Sequence, residues 1–191
     1  MGKTTIVNII KTGEKQDNTQ PTLRDFDPYI KDMEIDGNKI QATLNDCSGQ
    51  ESYHNVTKSY LRKTEGFAVV YDVTDKETFE DVIKWVEKIR EIHDKDFPIL
   101  MIGNKIDKEE NRVITKDKGE RRACGLGIEH QESTYNDVEN IQEIFTSFVR
   151  QIYSYINYAK CKPIGHTSVP LNVFILHNSE SKPKPSNEGC C

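Results

Sequence analysis

The sequence predicts an α/β protein with a mostly parallel central sheet flanked by helices. Two apolar runs carry the prediction, Gly66–Asp72 (Gly-Phe-Ala-Val-Val-Tyr-Asp) and 98–103 (Pro-Ile-Leu-Met-Ile-Gly). Both are short and almost continuously apolar, as strands buried on both faces of a parallel sheet are. Between them Phe79, Val82, Val86 and Ile89 step by three and four, the spacing of a helix stripe. Val138, Ile141, Phe145, Phe148 and Ile152 repeat that spacing in a long final helix. Strand and helix alternate, which places helices on both sheet faces.

The other elements follow in chain order. A helix over 4–10 stops near Gly13, a natural C-cap. Residues 14–28 are polar, are broken by Pro21 and Pro28, and read as a loop. Tyr29–Ile35 and 39–44, joined by Asp36-Gly37-Asn38, read as a hairpin on an Asp-Gly turn. The domain is expected to span 1–158, with 159–191 a flexible tail interrupted by Pro163, Pro170, Pro183 and Pro185. Within that tail Val169–Leu176 is an apolar island. Docking on its own domain is the simpler reading; a partner-binding or membrane-facing patch is the other.

The totals exclude several classes. A chain of 191 residues suits one domain with a tail. A net charge of −5 argues against nucleic acid as the main partner, because phosphates want a basic face. Five cysteines without ligand-like spacing point to a reducing cytosolic compartment, not a disulfide framework or zinc site. No apolar run approaches the ~20 residues that span a bilayer.

Three motifs carry chemistry. Gly2-Lys3-Thr4 matches the second half of a phosphate-binding loop, G-x-x-x-x-G-K-[ST], and Thr5 follows it. Lys3 is placed to reach β- and γ-phosphates, and the Thr4 hydroxyl to ligate Mg²⁺. A helix start alone would also explain a bare Gly-Lys-Thr. Asp46-Cys47-Ser48-Gly49-Gln50 comes directly after a strand. Asp46 can hold Mg²⁺ through a water, the Gly49 N–H can bond the γ-phosphate, and Gln50 can orient the attacking water. Asn104-Lys105-Ile106-Asp107 ends a buried strand, where open α/β sheets bind ligands. The Asp107 carboxylate can accept from guanine N1–H and its exocyclic amine, a pair adenine does not offer. The Lys105 stem can lie along the purine.

Together these motifs resemble the Ras superfamily of small GTPases, and most closely its Rab branch. The likeness runs from Gly2 to about Tyr158 and is most specific over 57–85, with Val-Tyr-Asp-Val-Thr-Asp and a helix bearing Trp85. The resemblance implies a P-loop small-GTPase fold that binds GTP or GDP with Mg²⁺ and hydrolyses GTP. It implies that Thr22 contacts Mg²⁺ and γ-phosphate in the GTP state, and that Ser133, Thr134 and Tyr135 form the last guanine loop. Gly189-Cys190-Cys191 resembles the doubly prenylated Rab terminus, making Cys190 and Cys191 the expected lipidation sites. The location implied is cytoplasmic, peripheral on the cytosolic face of endomembranes. Implied partners are vesicle-transport effectors, an exchange factor, a GTPase-activating protein, a prenylation escort and a GDP-dissociation inhibitor.

The chain also departs from the family pattern. Lys15 stands where an aromatic usually stacks on guanine, Asn45 replaces a Trp, Cys47-Ser48 replaces Thr-Ala, and Tyr135 replaces an Ala. The first glycine of the phosphate loop and its strand precede the part of the motif present here. In this fold that strand lies centrally, between the strands ending at Asp46 and Asp72. Its roughly five or six buried apolar residues, at ~1.5–3 kcal/mol each, come to about 10 kcal/mol. Whole domains are stable by only ~5–15 kcal/mol. The expectation is therefore an open slot in the sheet and an unfolded or molten domain. A natural start roughly a dozen residues earlier is the simplest account, and a decayed paralogue the alternative. Two other functions stay open: a non-catalytic prenylated interaction protein, and a Ras-like signalling GTPase suggested by Thr64-Glu65-Gly66-Phe67.

Overall fold

The computed structural model describes residues 3–15, 28–46, 61–160 and 169–176. The elements in order are α1 (Lys3–Thr12), β1 (Tyr29–Ile35), β2 (Asn38–Asp46), β3 (Gly66–Asp72), α2 (Lys76–Arg90), β4 (Ile99–Asn104), α3 (Lys116–Leu126), β5 (Glu129–Ser133), α4 (Val138–Lys160) and β6 (Val169–Leu176). A 3₁₀ turn, Glu109–Asn111, precedes α3.

Six strands form one sheet in the order β1-β2-β6-β3-β4-β5. Only β1 and β2 are antiparallel. Their turn places both Asp36 (φ 51°) and Gly37 (φ 77°) in the left-handed region. That is the two-residue geometry whose twist matches a hairpin, and the Asp-Gly pair suits it. The α/β architecture expected from the sequence is present.

The expected open slot is not. Val169–Leu176 occupies it, parallel to both neighbours, from Ile40↔Val169 to Asp46↔Ile175 on one side and from Gly66↔Val173 to Val69↔Leu176 on the other. Of the two readings of this island, the structure shows the docked one. The reason lies in its alternation. Leu171, Val173 and Ile175 enter the core beneath α1 and α4, while Leu176 enters the core beneath α2 and α3. All four are buried. Pro170 pairs with Gln41 before β3 comes alongside, on a stretch of β6 flanked by β2 alone. A residue without an N–H is tolerated there more readily than between two strands.

The sheet separates two cores. On one face Ile6, Val7, Ile9 and Ile10 of α1 join Ile141, Phe145, Phe148 and Ile152 of α4. On the other, the α2 stripe Phe79, Val82, Val86 and Ile89 packs with Phe67, Val69 and Tyr71 of β3. Helix α2 starts at Asp75, whose carboxylate accepts from the Glu77 and Thr78 N–H groups, satisfying donors the first turn leaves over.

Helix α3 and strand β5 are not among the elements read from the sequence. Helix α3 buries only Gly119 and Ala123, too little for an apolar stripe. Gly119 is small for a reason: a Cβ there would stand 2.6 Å from His130 Nε2 and 2.7 Å from the Tyr71 hydroxyl. Strand β5 is an edge strand of polar residues in which Ser133 alone is fully buried.

Candidate functional site

The carboxyl ends of β3, β4 and β5 bring together Asp72, Asn104 and Ser133. Parallel α/β sheets present ligand sites at this edge, because every strand there opens into a loop. Asn104 is only 3% exposed and accepts from the Ser133 hydroxyl at 3.2 Å. It therefore braces the loop after β4 against the loop after β5.

A second bond joins the same loops. The Thr134 hydroxyl donates to Asp107 Oδ1 at 2.6 Å, and the Asn136 N–H donates to that hydroxyl oxygen at 3.2 Å. Asp107 is exposed, so its carboxylate is fixed in direction yet open to solvent. That combination suits a group that must accept a hydrogen-bonded pair from an incoming ring, since the orientation is set before the ring arrives.

Lys105 leaves β4 with φ 70°, a left-handed conformation rare for a side chain of this size. Its ammonium pairs with Asp72 Oδ2 at the end of β3. Asp72 Oδ1 accepts from the Thr74 N–H at 2.9 Å and the Thr74 hydroxyl at 2.7 Å. Burial alone would raise the Asp72 pKa, but the bonds from Lys105 and Thr74 outweigh it and hold the carboxyl below its ordinary value. Burial would likewise lower Lys105, and the bond to Asp72 holds it above its ordinary value. The Lys105 stem is consequently tied along the floor of the site.

Lys15 approaches from another side. The chain turns out of α1 at Gly13 (φ 71°), whose N–H bonds the Ile9 carbonyl at 2.9 Å. Two residues later Lys15 donates to Asn136 Oδ1 at 2.9 Å, and its ammonium lies 4.6 Å from the centroid of the Tyr135 ring. The Tyr135 ring is half-buried and packs against the α1–α4 core.

Of the residues expected from the sequence, Asn104, Lys105, Asp107, Ser133, Thr134 and Tyr135 form this one cluster. Of the residues expected to meet phosphate or metal, Lys3, Thr4 and Thr5 form the first turn of α1, and Asp46 ends β2. Gly2, Thr22, Gly49, Gln50, Cys190 and Cys191 lie outside the described residues. Among the described residues no group of three or more His, Cys, Asp or Glu could hold a metal, and no helix is long and apolar enough to cross a membrane. The sequence reading missed Asp72 as the partner of Lys105 and Asn136 as the partner of Lys15. No local pattern signals either contact.

Comparison with known proteins agrees with the fold. The Ras family matches residues 1–154. The chain is 36% identical over 166 residues to Ras-related protein SEC4 of Saccharomyces cerevisiae, covering 87% of this chain and 75% of that protein. It is 39% identical over 124 residues to Ras-related protein Rab-12 of Homo sapiens, covering 64% of this chain and 51% of that protein. With Ras-related protein Rab-8 of Diplobatis ommata the identity is 31% over 158 residues, covering 83% and 73%. A family match over most of the chain, relatives of this kind and a mostly parallel sheet flanked by helices lead to one assignment: the chain belongs to the Ras family and is a Rab-like small GTPase.

Proposed function

We propose that this protein is a guanine-nucleotide switch that binds GTP and GDP with Mg²⁺ and hydrolyses GTP. The observation that carries the reading is the exposed Asp107 carboxylate, aimed by Thr134 and backed by the Asn104–Ser133 brace. Asp107 takes the guanine N1–H and amine, and the tied stem of Lys105 lies along the ring. Lys3, Thr4 and Thr5 receive the phosphates at the start of α1, where backbone N–H groups favour an anion. Thr4, Thr22 and Asp46 supply hard oxygen donors, the set that suits Mg²⁺, which would neutralise charge on the phosphates. Gly49 bonds the γ-phosphate and Gln50 orients the water.

The wider role follows the family. The GTP form recruits effectors for vesicle transport from the cytosolic face of endomembranes, anchored through prenylated Cys190 and Cys191. An exchange factor, a GTPase-activating protein, a prenylation escort and a GDP-dissociation inhibitor complete the cycle.

The test is titration of the purified chain with a fluorescent GDP analogue in Mg²⁺. Saturable binding competed by GTP but not ATP is expected, with Asp107→Asn moving the preference toward xanthine nucleotides. Binding that ATP competes equally well would sink the guanine reading. Gln50→Leu should then slow single-turnover hydrolysis without abolishing binding.

One observation favours a second reading, a non-catalytic prenylated interaction protein. Strand β6, not a strand leading into α1, fills the sheet between β2 and β3. No nucleotide binding by a folded, monodisperse chain would support that reading.

A further inference from the structure

We propose that the gap between β2 and β3 is a strand-acceptor site that takes β6 from a second copy of this chain, so that two copies exchange their last strands and form a closed dimer. The inference concerns only how the sheet is completed and does not depend on nucleotide binding.

The fit is carried by the slot and the strand, not by the link that joins them. On the β2 side the parallel register runs from Ile40↔Val169 to Asp46↔Ile175, and on the β3 side from Gly66↔Val173 to Val69↔Leu176. Leu171, Val173 and Ile175 fill one core and Leu176 the other. The Glu65 carboxylate, one residue before β3, accepts from the Asn172 N–H and its side-chain amide and so fixes which residue stands where. None of these contacts involves residues 161–168. A β6 arriving from another copy therefore makes all of them equally well. This is recognition by strand addition, in which main-chain bonds give affinity and alternate side chains give specificity.

The link allows the exchange. Helix α4 ends at Lys160 and β6 begins at Val169. The eight residues between them span at most about 29 Å when extended. Tyr158, near the end of α4, is 88% exposed, and Pro170, at the start of β6, is also exposed. Both ends of the link thus lie at the surface, and only β6 itself has to leave the core. Donor and acceptor belong to the same chain, so a reciprocal exchange is two-fold symmetric and leaves no slot open. Concentration sets the competition, because a strand on a short link acts on its own slot at an effective concentration on the order of millimolar. Exchange therefore occurs when copies approach that concentration while the slot is open. The dimer then persists on dilution, since each strand can leave only by opening the middle of the sheet.

The experiment refolds full-length chains from urea at about 1 µM and at about 0.5 mM, on either side of the concentration at which exchange competes. One preparation carries Glu65→Cys and the other Asn172→Cys; they are mixed in equal amounts before refolding and oxidised afterwards. The register Gly66↔Val173 places 65 beside 172, within reach of a disulfide. In this mixture a 65–172 bond joins two different chains, and peptide mass mapping distinguishes it from bonds made by the natural cysteines. The bond is expected after concentrated refolding and only in trace after dilute refolding. The unsubstituted chain, sedimented after the same two refoldings, should be roughly one-third dimer from the concentrated sample and monomer from the dilute one. That dimer should survive dilution. A monomer from both refoldings of the unsubstituted chain overturns the exchange. So does a dimer that falls apart on dilution, or one in which 65 and 172 are not joined.

Discussion

Asn172 in β6 and Glu65 before β3 lock the inserted strand in register. The Glu65 carboxylate accepts from the Asn172 N–H at 2.7 Å and from its side-chain amide at 3.1 Å. The Glu65 N–H donates back to the Asn172 carbonyl at 3.0 Å. A strand shifted by one residue would lose all three bonds and turn Leu171, Val173 and Ile175 to the wrong face. Glu65→Ala and Asn172→Ala should each cost about 1–3 kcal/mol. Urea unfolding of both variants and their combination checks this. A shared network requires the double variant to lose clearly less than the sum of the two.

Strand β6 should decide whether the domain folds at all. Four fully buried side chains at ~1.5–3 kcal/mol each supply a stabilisation comparable to that of a whole domain, ~5–15 kcal/mol. Leu171→Ala should cost about 2–5 kcal/mol. Val173→Asp, which buries an unpaired charge, should leave no cooperative thermal transition. A calorimetric transition surviving in Val173→Asp would show that the strand does not occupy the slot in solution.

The Lys105–Asp72 pair gives an acid-side prediction. The Asp72 carboxyl is held below its ordinary value in the fold, so it stabilises the protein above the unfolded value of about 4. That contribution is lost as the pH falls through the depressed folded value. Lys105→Met removes the partner and leaves a buried carboxylate, at a cost of about 3 kcal/mol near neutral pH. Without Lys105, burial raises the folded Asp72 value, so acidification should cost the variant less stability than it costs the native protein. The urea midpoint followed from neutral to acid pH in both proteins tests the shift.

His130 gives a second pH limb, with its own sign. Burial lowers its pKa, and the Glu132 and Glu120 carboxylates only partly oppose this while Lys116 adds to it. Its Nε2 lies 3.0 Å from the Tyr71 hydroxyl, from which a neutral ring with that nitrogen unprotonated can accept. A depressed folded value means that the unfolded chain binds the proton first, so stability falls as the pH drops below about 6.5. Melting temperatures between neutral pH and pH about 5 should decline in the native protein. The decline should flatten in His130→Gln, which keeps a polar partner for Tyr71 but does not titrate.

How far the sequence reaches depends on whether a residue's neighbours in space are also its neighbours in the chain. Strands β3 and β4 and the α2 stripe were legible because burial on two faces or on one stripe writes itself into local apolar spacing. The tetrapeptide Asn104–Asp107 stood out in the sequence because one short loop carries Asn104, Lys105 and Asp107 together. Helix α3 was not, because the space above Gly119 is filled by Tyr71 and His130 from other strands. The place of β6 was hidden by its Pro-rich surroundings and by Pro170 within it. Lys15 could be named as a departure, but its partner Asn136 follows only from the folded chain.

A last strand seated in the middle of a sheet also sets a timetable. Glu65 and Asn172 are 107 residues apart, and the β2 partners of β6 lie further still. Closing such loops is slow, and chains dominated by distant pairings fold late. During synthesis at ~5–20 residues per second, β2 and β3 wait on the order of ten seconds for β6 to be made. Throughout that interval the hairpin and the β3–β5 half each carry an open, apolar edge. Until β6 is made, the nascent protein exposes surface of the kind chaperones bind, and truncation before residue 169 should favour aggregation over folding.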